Sequence, residues 1–168
     1  PDFLVQEAGV SLVTGVGTLA GSVKDLTPDQ PVLGRPTLFS FSGKGLEKAE
    51  SVEITGTLDH VDPASSSDRT VLTVKGWKVT GLSLSRGQVP VTLQGGTSDL
   101  ELSGTIREGE LTASLEAAFA SVVLKAGGGD QGTWVRSLAT VLEEVKAFTL
   151  SVAATGREGD LNLKVGSD

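Results

Sequence analysis

The sequence predicts a mainly β fold: a strongly twisted antiparallel sheet folded over on itself, either a β-groove or a partly open barrel, with one amphipathic helix packed on its concave face. Three observations predict it. Apolar and polar residues alternate over most of the 168 residues, the period of a strand with one buried face. The composition holds 22 Gly but only five Phe, two Trp and no Tyr, which suits short turns and faces lined by small aliphatic groups. Helical period occurs once, where Trp134, Val135, Leu138, Val141, Leu142 and Val145 fall on one stripe. A lone amphipathic helix must bury that stripe, and a sheet is the surface on offer.

Taken in order, residues 3–13 read as extended, interrupted at Ala8-Gly9 and broken at Gly15-Val16-Gly17. Leu19, Gly21, Val23 and Asp25 then share a face. Three prolines make residues 27–36 a loop. Phe39 and Phe41 sit on one side of a short strand, and residues 44–50 form a charged turn. Val52, Ile54, Gly56, Leu58 and His60 alternate, before a polar loop at 62–68. Residues 70–80 are a strand with a bulge at Gly76-Trp77. Two further short strands follow, one through Val89, Val91 and Leu93 and one through Leu100, Leu102, Gly104 and Ile106. Pro90 marks an edge or a strand start.

Residues 110–125 form the longest regular stretch, with Leu111, Ala113, Leu115, Ala117, Phe119 and Val123 on one face. Unbroken, it spans roughly 50 Å, which predicts a bend or strong twist. The helix is expected over 133–145. Phe148, Leu150, Val152 and Ala154 then alternate, and Leu161, Leu163 and Val165 make the last strand. The Arg-Glu-Gly-acid-Leu run occurs twice, at 107–111 and 157–161, and reads as two hairpin turns with Gly at a positive φ.

Bulk properties exclude several jobs. Without cysteine there are no disulfides, thiolate metal sites or cysteine nucleophiles. A net charge of −7 with scattered Lys and Arg argues against nucleic acid as a partner. The Gly15-Val16-Gly17 run lacks the helix that a dinucleotide site requires, so no cofactor is expected. His60 is the only histidine. It has Asp59, Asp62 and Asp68 nearby, so oxygen-rich cation binding is one reading and a solvated strand end with turn-forming Asp the other. A Ser-His-Asp triad would have to use His60, and no Gly-x-Ser-x-Gly elbow exists. No residue pattern names a reaction, and an enzyme is not expected.

Four stretches, LAGSVKDLTPDQ (19–30), LGRPTLF (33–39), GTLDH (56–60) and VLEEVKAF (141–148), together resemble a bacterial family of membrane-anchored envelope proteins of uncharacterised function. The ending also resembles the AsmA and TamB type of β-groove protein. The resemblance implies a curved antiparallel sheet with a polar face and an apolar trough able to hold lipid acyl chains. It also implies the bacterial periplasm or envelope, and inner-membrane anchoring through a segment outside this chain. Residues 1–168 then form one β-rich domain, an excised or processed piece of the anchored protein. It supplies no catalytic residues. Leu111, Leu115, Phe119, Leu150, Val152 and Leu163, with Leu138 and Leu142 of the helix, are expected to line the trough. The other reading makes those residues a closed core, in a scaffold that binds an envelope protein through a sheet edge or the helix face.

Overall fold

The computed structural model describes residues 3–84, 90–126, 133–157 and 159–168, and the side chains of all of these except 133–136. The strands are β1 (Val5–Thr14), β2 (Gly17–Leu26), β3 (Thr37–Lys44), β4 (Ser51–Asp59), β5 (Ser67–Lys78), β6 (Leu82–Ser83), β7 (Val91–Arg107), β8 (Glu110–Ala126), β9 (Ala147–Arg157) and β10 (Asp160–Ser167). A single turn, α1 (Gln30–Leu33), interrupts the proline-rich loop, and α2 (Thr133–Glu144) is the one long helix among the described residues. All ten strands join one open antiparallel sheet. Its order is β1-β2-β3-β4-β5-β7-β8-β9-β10, with β6 pairing on β7 beyond the end of β5. Each strand therefore pairs with its neighbours in the chain, and β1 and β10 are the two edges.

The pairing registers align side chains in transverse rows. One row runs Val10, Gly21, Phe41, Ile54, Leu72, Leu102, Leu115, Val152, Val165, crossing nine strands without a polar residue. The adjacent row, on the other face, runs Ser11, Ala20, Ser42, Glu53, Thr73, Glu101, Glu116, Ser151, Gly166. The alternation legible in each strand thus adds up to one apolar and one polar face. At a spacing of about 4.8 Å, nine strands carry the apolar row across roughly 38 Å.

Aromatic rings occupy part of that row because glycines leave room. A Cβ on Gly21 would stand 1.9 Å from the Ser40 carbonyl oxygen and 2.6 Å from the Phe41 ring. One on Gly56 would stand 2.1 Å from the Phe39 ring. Gly104, on the same face, has open space.

Three central strands change phase. In β5 the inward positions are Leu72 and Val74, then Trp77 and Val79, with Gly76 at φ 60° between them. In β7 the pairing shifts twice around Gly95 and Gly96. In β8, Ala117 and Phe119 are buried, but beyond Ser121 at φ 52° the buried residues are Val122 and Leu124. Val123 is consequently exposed, and the expectation that it shares the Phe119 face is wrong. The extra residue at the bulge reverses every side chain after it. The β5 bulge is held from the polar face. The Asp99 carboxylate accepts from the Gly76 N–H at 2.9 Å and from the Lys75 ammonium at 3.0 Å.

Other expectations fall out as follows. The bulge at Gly76-Trp77 is present. The hairpin after β7 is a two-residue turn, Glu108 at φ 52° and Gly109 at φ 77°, the doubly positive geometry that matches strand twist. The repeat of that motif also closes a hairpin, with Gly159 at φ 89°. The break at Ala8-Gly9 is absent, because both residues keep register with Val23 and Ser22. Residues 15–17 are a hairpin turn. The two short strands around Gly95 are one, since bulges absorb the glycines without ending the ladder; Val89 lies outside the described residues.

The Gly76 N–H, and next the Lys75 ammonium, hold the Asp99 carboxyl below the usual carboxylate range. A depressed folded-state value stabilises above the unfolded pKa and is lost as pH falls through the folded one. Asp99→Asn should therefore lower stability by about 1 kcal/mol at pH 7, with the difference closing in acid below the ordinary carboxylate pKa. Urea midpoints at several pH values check this. Gly21→Ala should cost about 2 kcal/mol or more, while Gly104→Ala stays near neutral, read the same way.

Candidate functional site

The apolar face holds two buried clusters. One is Leu19, Ala49 and Val52, backed by Phe41, Leu46, Ile54, Leu72 and Val74. The other is Val79, Leu93, Ala117, Phe119, Val122 and Leu124, backed by Trp77, Leu100, Leu142, Val145, Phe148 and Leu150. Between them lies an open pocket of about 340 Å³. Leu19, Val52, Ile54, Leu72, Val74, Trp77 and Leu100 line it, with Thr14, Val16 and Ala49. The lining is nearly all hydrocarbon, and the volume falls at the lower end of the roughly 300–1,000 Å³ usual for ligand pockets. Trp77 reaches it because the Gly76 bulge turns the indole to the apolar side.

The expected trough residues divide. Leu111, Leu115, Phe119, Leu150, Val152 and Leu163 do share the apolar face: Leu115 pairs with Val152, Ala117 with Leu150, Phe119 with Phe148, and Ala154 with Leu163. Phe119 is core, only 6% exposed and stacked on Phe148 at 4.5 Å between ring centroids. Leu111, Leu115, Leu150 and Val152 are half-buried. Leu163 is 64% exposed at the edge. Leu142 of the helix and Val145 just after it pack on the second cluster, and Leu138 is half-buried. Val141 is exposed, so the packing stripe is narrower than the six residues expected. The side chains of Trp134 and Val135 lie outside those described.

The pocket itself is made by residues that the expected set omits. Alternation in β4 marked Val52 and Ile54 as face residues and placed Trp77 only in a bulge, and their meeting with Leu19 and Leu100 depends on register between distant segments.

The acidic cluster around His60 does not converge. Asp62 accepts from the Ala64 N–H and the Ser65 hydroxyl, both at 2.9 Å, and these bonds, in that order, lower its pKa. Asp59 accepts from the Val61 N–H at 3.2 Å. His60 Nε2 lies 2.9 Å from Asp68 Oδ1, an oxygen with no other partner. The His60 N–H donates to the Gln30 side chain at 2.7 Å, and Gln30 in turn donates to buried Thr37 at 3.0 Å. Each group is thus engaged in local turn and strand-end bonding, and no three His or acidic residues gather as a metal set among the described residues. No described helix is long and apolar enough to cross a membrane.

The division of the trough residues is measurable. Phe119→Ala should cost about 3–4 kcal/mol, by loss of a buried ring, whereas Leu163→Ala should stay within about 0.5 kcal/mol. Denaturant unfolding of the two variants distinguishes core from open wall.

Comparison with family models, with curated proteins and with solved structures gives no match for this chain.

Proposed function

We propose that this chain is a non-enzymatic module of the bacterial envelope whose apolar β face binds or conducts lipid along a groove. The observation that carries the reading is the open hydrocarbon-lined pocket set in an apolar row that crosses the whole sheet. Such a site has nothing with which to polarise a bond. It has a long wall of Leu, Val, Ile and Phe on which a flexible apolar chain replaces water. The polar face on the opposite side keeps the sheet solvated while the apolar face is occupied. The resemblance to AsmA and TamB proteins supports the same reading, and with it periplasmic placement and anchoring through a segment outside this chain.

A second reading has a specific observation behind it. The β10 edge is exposed at every residue, which favours a scaffold that binds a protein by strand addition.

Trp77 provides the test of lipid binding, because it lines the pocket. Trp134→Phe leaves it the sole indole. Phospholipid vesicles with brominated acyl chains should quench Trp77 emission, and lipid extraction of the purified protein should release acyl chains. Leu72→Lys, which puts an ammonium into the lining, should abolish quenching with the far-UV circular dichroism unchanged. Unquenched emission together with a lipid-free extract rejects the reading.

A further inference from the structure

The apolar row does not stop at a capped border. On β10 its last members are Leu161, Leu163 and Val165, exposed by 52%, 64% and 70%. Native sheets blunt such edges with proline, bulges or charges turned inward. β10 contains no proline, no positive-φ residue, and no charge among the apolar-face positions 161, 163 and 165; its charges, Asp160 and Lys164, lie on the polar face.

The ladder fixes which backbone groups are free. Thr149 and Asp168 exchange both hydrogen bonds, at 3.2 and 3.3 Å, so they are a hydrogen-bonded pair. In an antiparallel ladder such pairs alternate. Residues 160, 162, 164 and 166 therefore bond to β9, and the N–H and C=O groups of 161, 163, 165 and 167 point out from the edge. The free backbone groups thus belong to the same residues that carry the exposed apolar side chains.

We propose that two copies of this chain pair antiparallel through β10, with Leu163 on the two-fold axis. An axis normal to the sheet keeps both apolar faces on the same side. Pairing must join residues with outward-pointing groups, so only odd-numbered residues exchange bonds. Among those registers, centring on residue 163 alone sets Leu161 against the partner copy's Val165 position and Leu163 against itself, leaving no apolar residue opposite a polar one. The same register sets Asn162 opposite the Lys164 position on the polar face, so no like charges meet. The pairing satisfies an otherwise open ladder and carries the apolar row from one copy into the next. A second copy is the favoured occupant over an unrelated strand because the edge is complementary to itself.

The chain has no cysteine, so Leu163→Cys introduces the only thiol. A hydrogen-bonded pair holds its Cα atoms about 5.5 Å apart, within disulfide reach. Mild oxidation should give a covalent dimer of twice 17.2 kDa from Leu163→Cys. Asn162→Cys, offset from itself and facing the other side, and Ser11→Cys on the β1 edge should stay monomeric. Light scattering of the unmodified chain should show a reversible dimer. Leu163→Pro removes an outward N–H and no bond to β9, so it should give a folded monomer. Should that variant lose its β circular dichroism, Leu163→Glu carries the test: two carboxylates on the axis should raise the dissociation constant by about tenfold or more. A monomer at all concentrations, a dimer indifferent to both Leu163→Pro and Leu163→Glu, or crosslinking through Ser11→Cys instead would overturn the proposal. Lipid binding at Trp77 is read separately, so failure of either result leaves the other standing.

Discussion

The apolar face depends on bulges that keep three adjacent strands in step. A period-2 strand that gains one residue turns its inward set outward. At Gly76 β5 alone gains a residue opposite Asp99, which brings Trp77 level with Ser98 and keeps it on the same face as Val74. Further along, β7 shifts around Gly95 and Gly96 and β8 at Ser121 together, so Leu93 and Leu124 still meet on the face of Ser98 and Phe119. The Asp99 carboxylate holds this level from the opposite face, through the Gly76 N–H and the Lys75 ammonium. The bulges leave one continuous hydrocarbon surface over strands as long as 17 residues.

Along that surface, cover is uneven. Near the bulges, α2 places Leu142 and Val145 on the cluster around Phe119 and closes it from water. Towards β2 and β3, the rings of Phe39 and Phe41 lie over glycine positions and fill the face from within the sheet. Between these two covers, no helix residue or Phe ring lines the pocket beside Trp77 among the described residues. Beyond β8 the face opens further, to Leu161, Leu163 and Val165. The fold thus has a closed core at its centre and accessible apolar wall on either side, and the two readings of the trough residues each describe part of it.

Much of this was legible in the residues. Alternation named nearly every strand, the Glu108-Gly109 and Gly159 turns announced two hairpins, and the helical stripe located α2. What escaped depends on partners far away in the chain. Ser121 adopts a positive φ although its type gives no local signal for it; the apolar Val122 and Leu124 on the otherwise polar face are the trace the change leaves in the sequence. Gly95 and Gly96 read as a strand break but serve as bulges, because β8 continues the ladder past them. Ala8 and Gly9 look weak alone and are held by β2. Val141 keeps helical period yet faces out, since a helix on a sheet buries only a narrow stripe. The pocket was the least legible feature, as its walls come from five strands and the turns between them. For the acidic residues near His60, composition suggested a cation, but local turn geometry uses the carboxylates first.

The meander has a consequence for how such a chain can vary. Since the strands pair in chain order, with β5 reaching β7 past the short β6, the backbone pairing is that of a one-dimensional stack of hairpins. Ordering can start at any tight turn and spread outward, with few loops of high closure entropy to delay it. By the same logic a hairpin added at either end of the sheet leaves every existing strand pairing intact. The number of strands is then the dimension along which this architecture can grow, whereas its width is fixed by the strand span and its bulges.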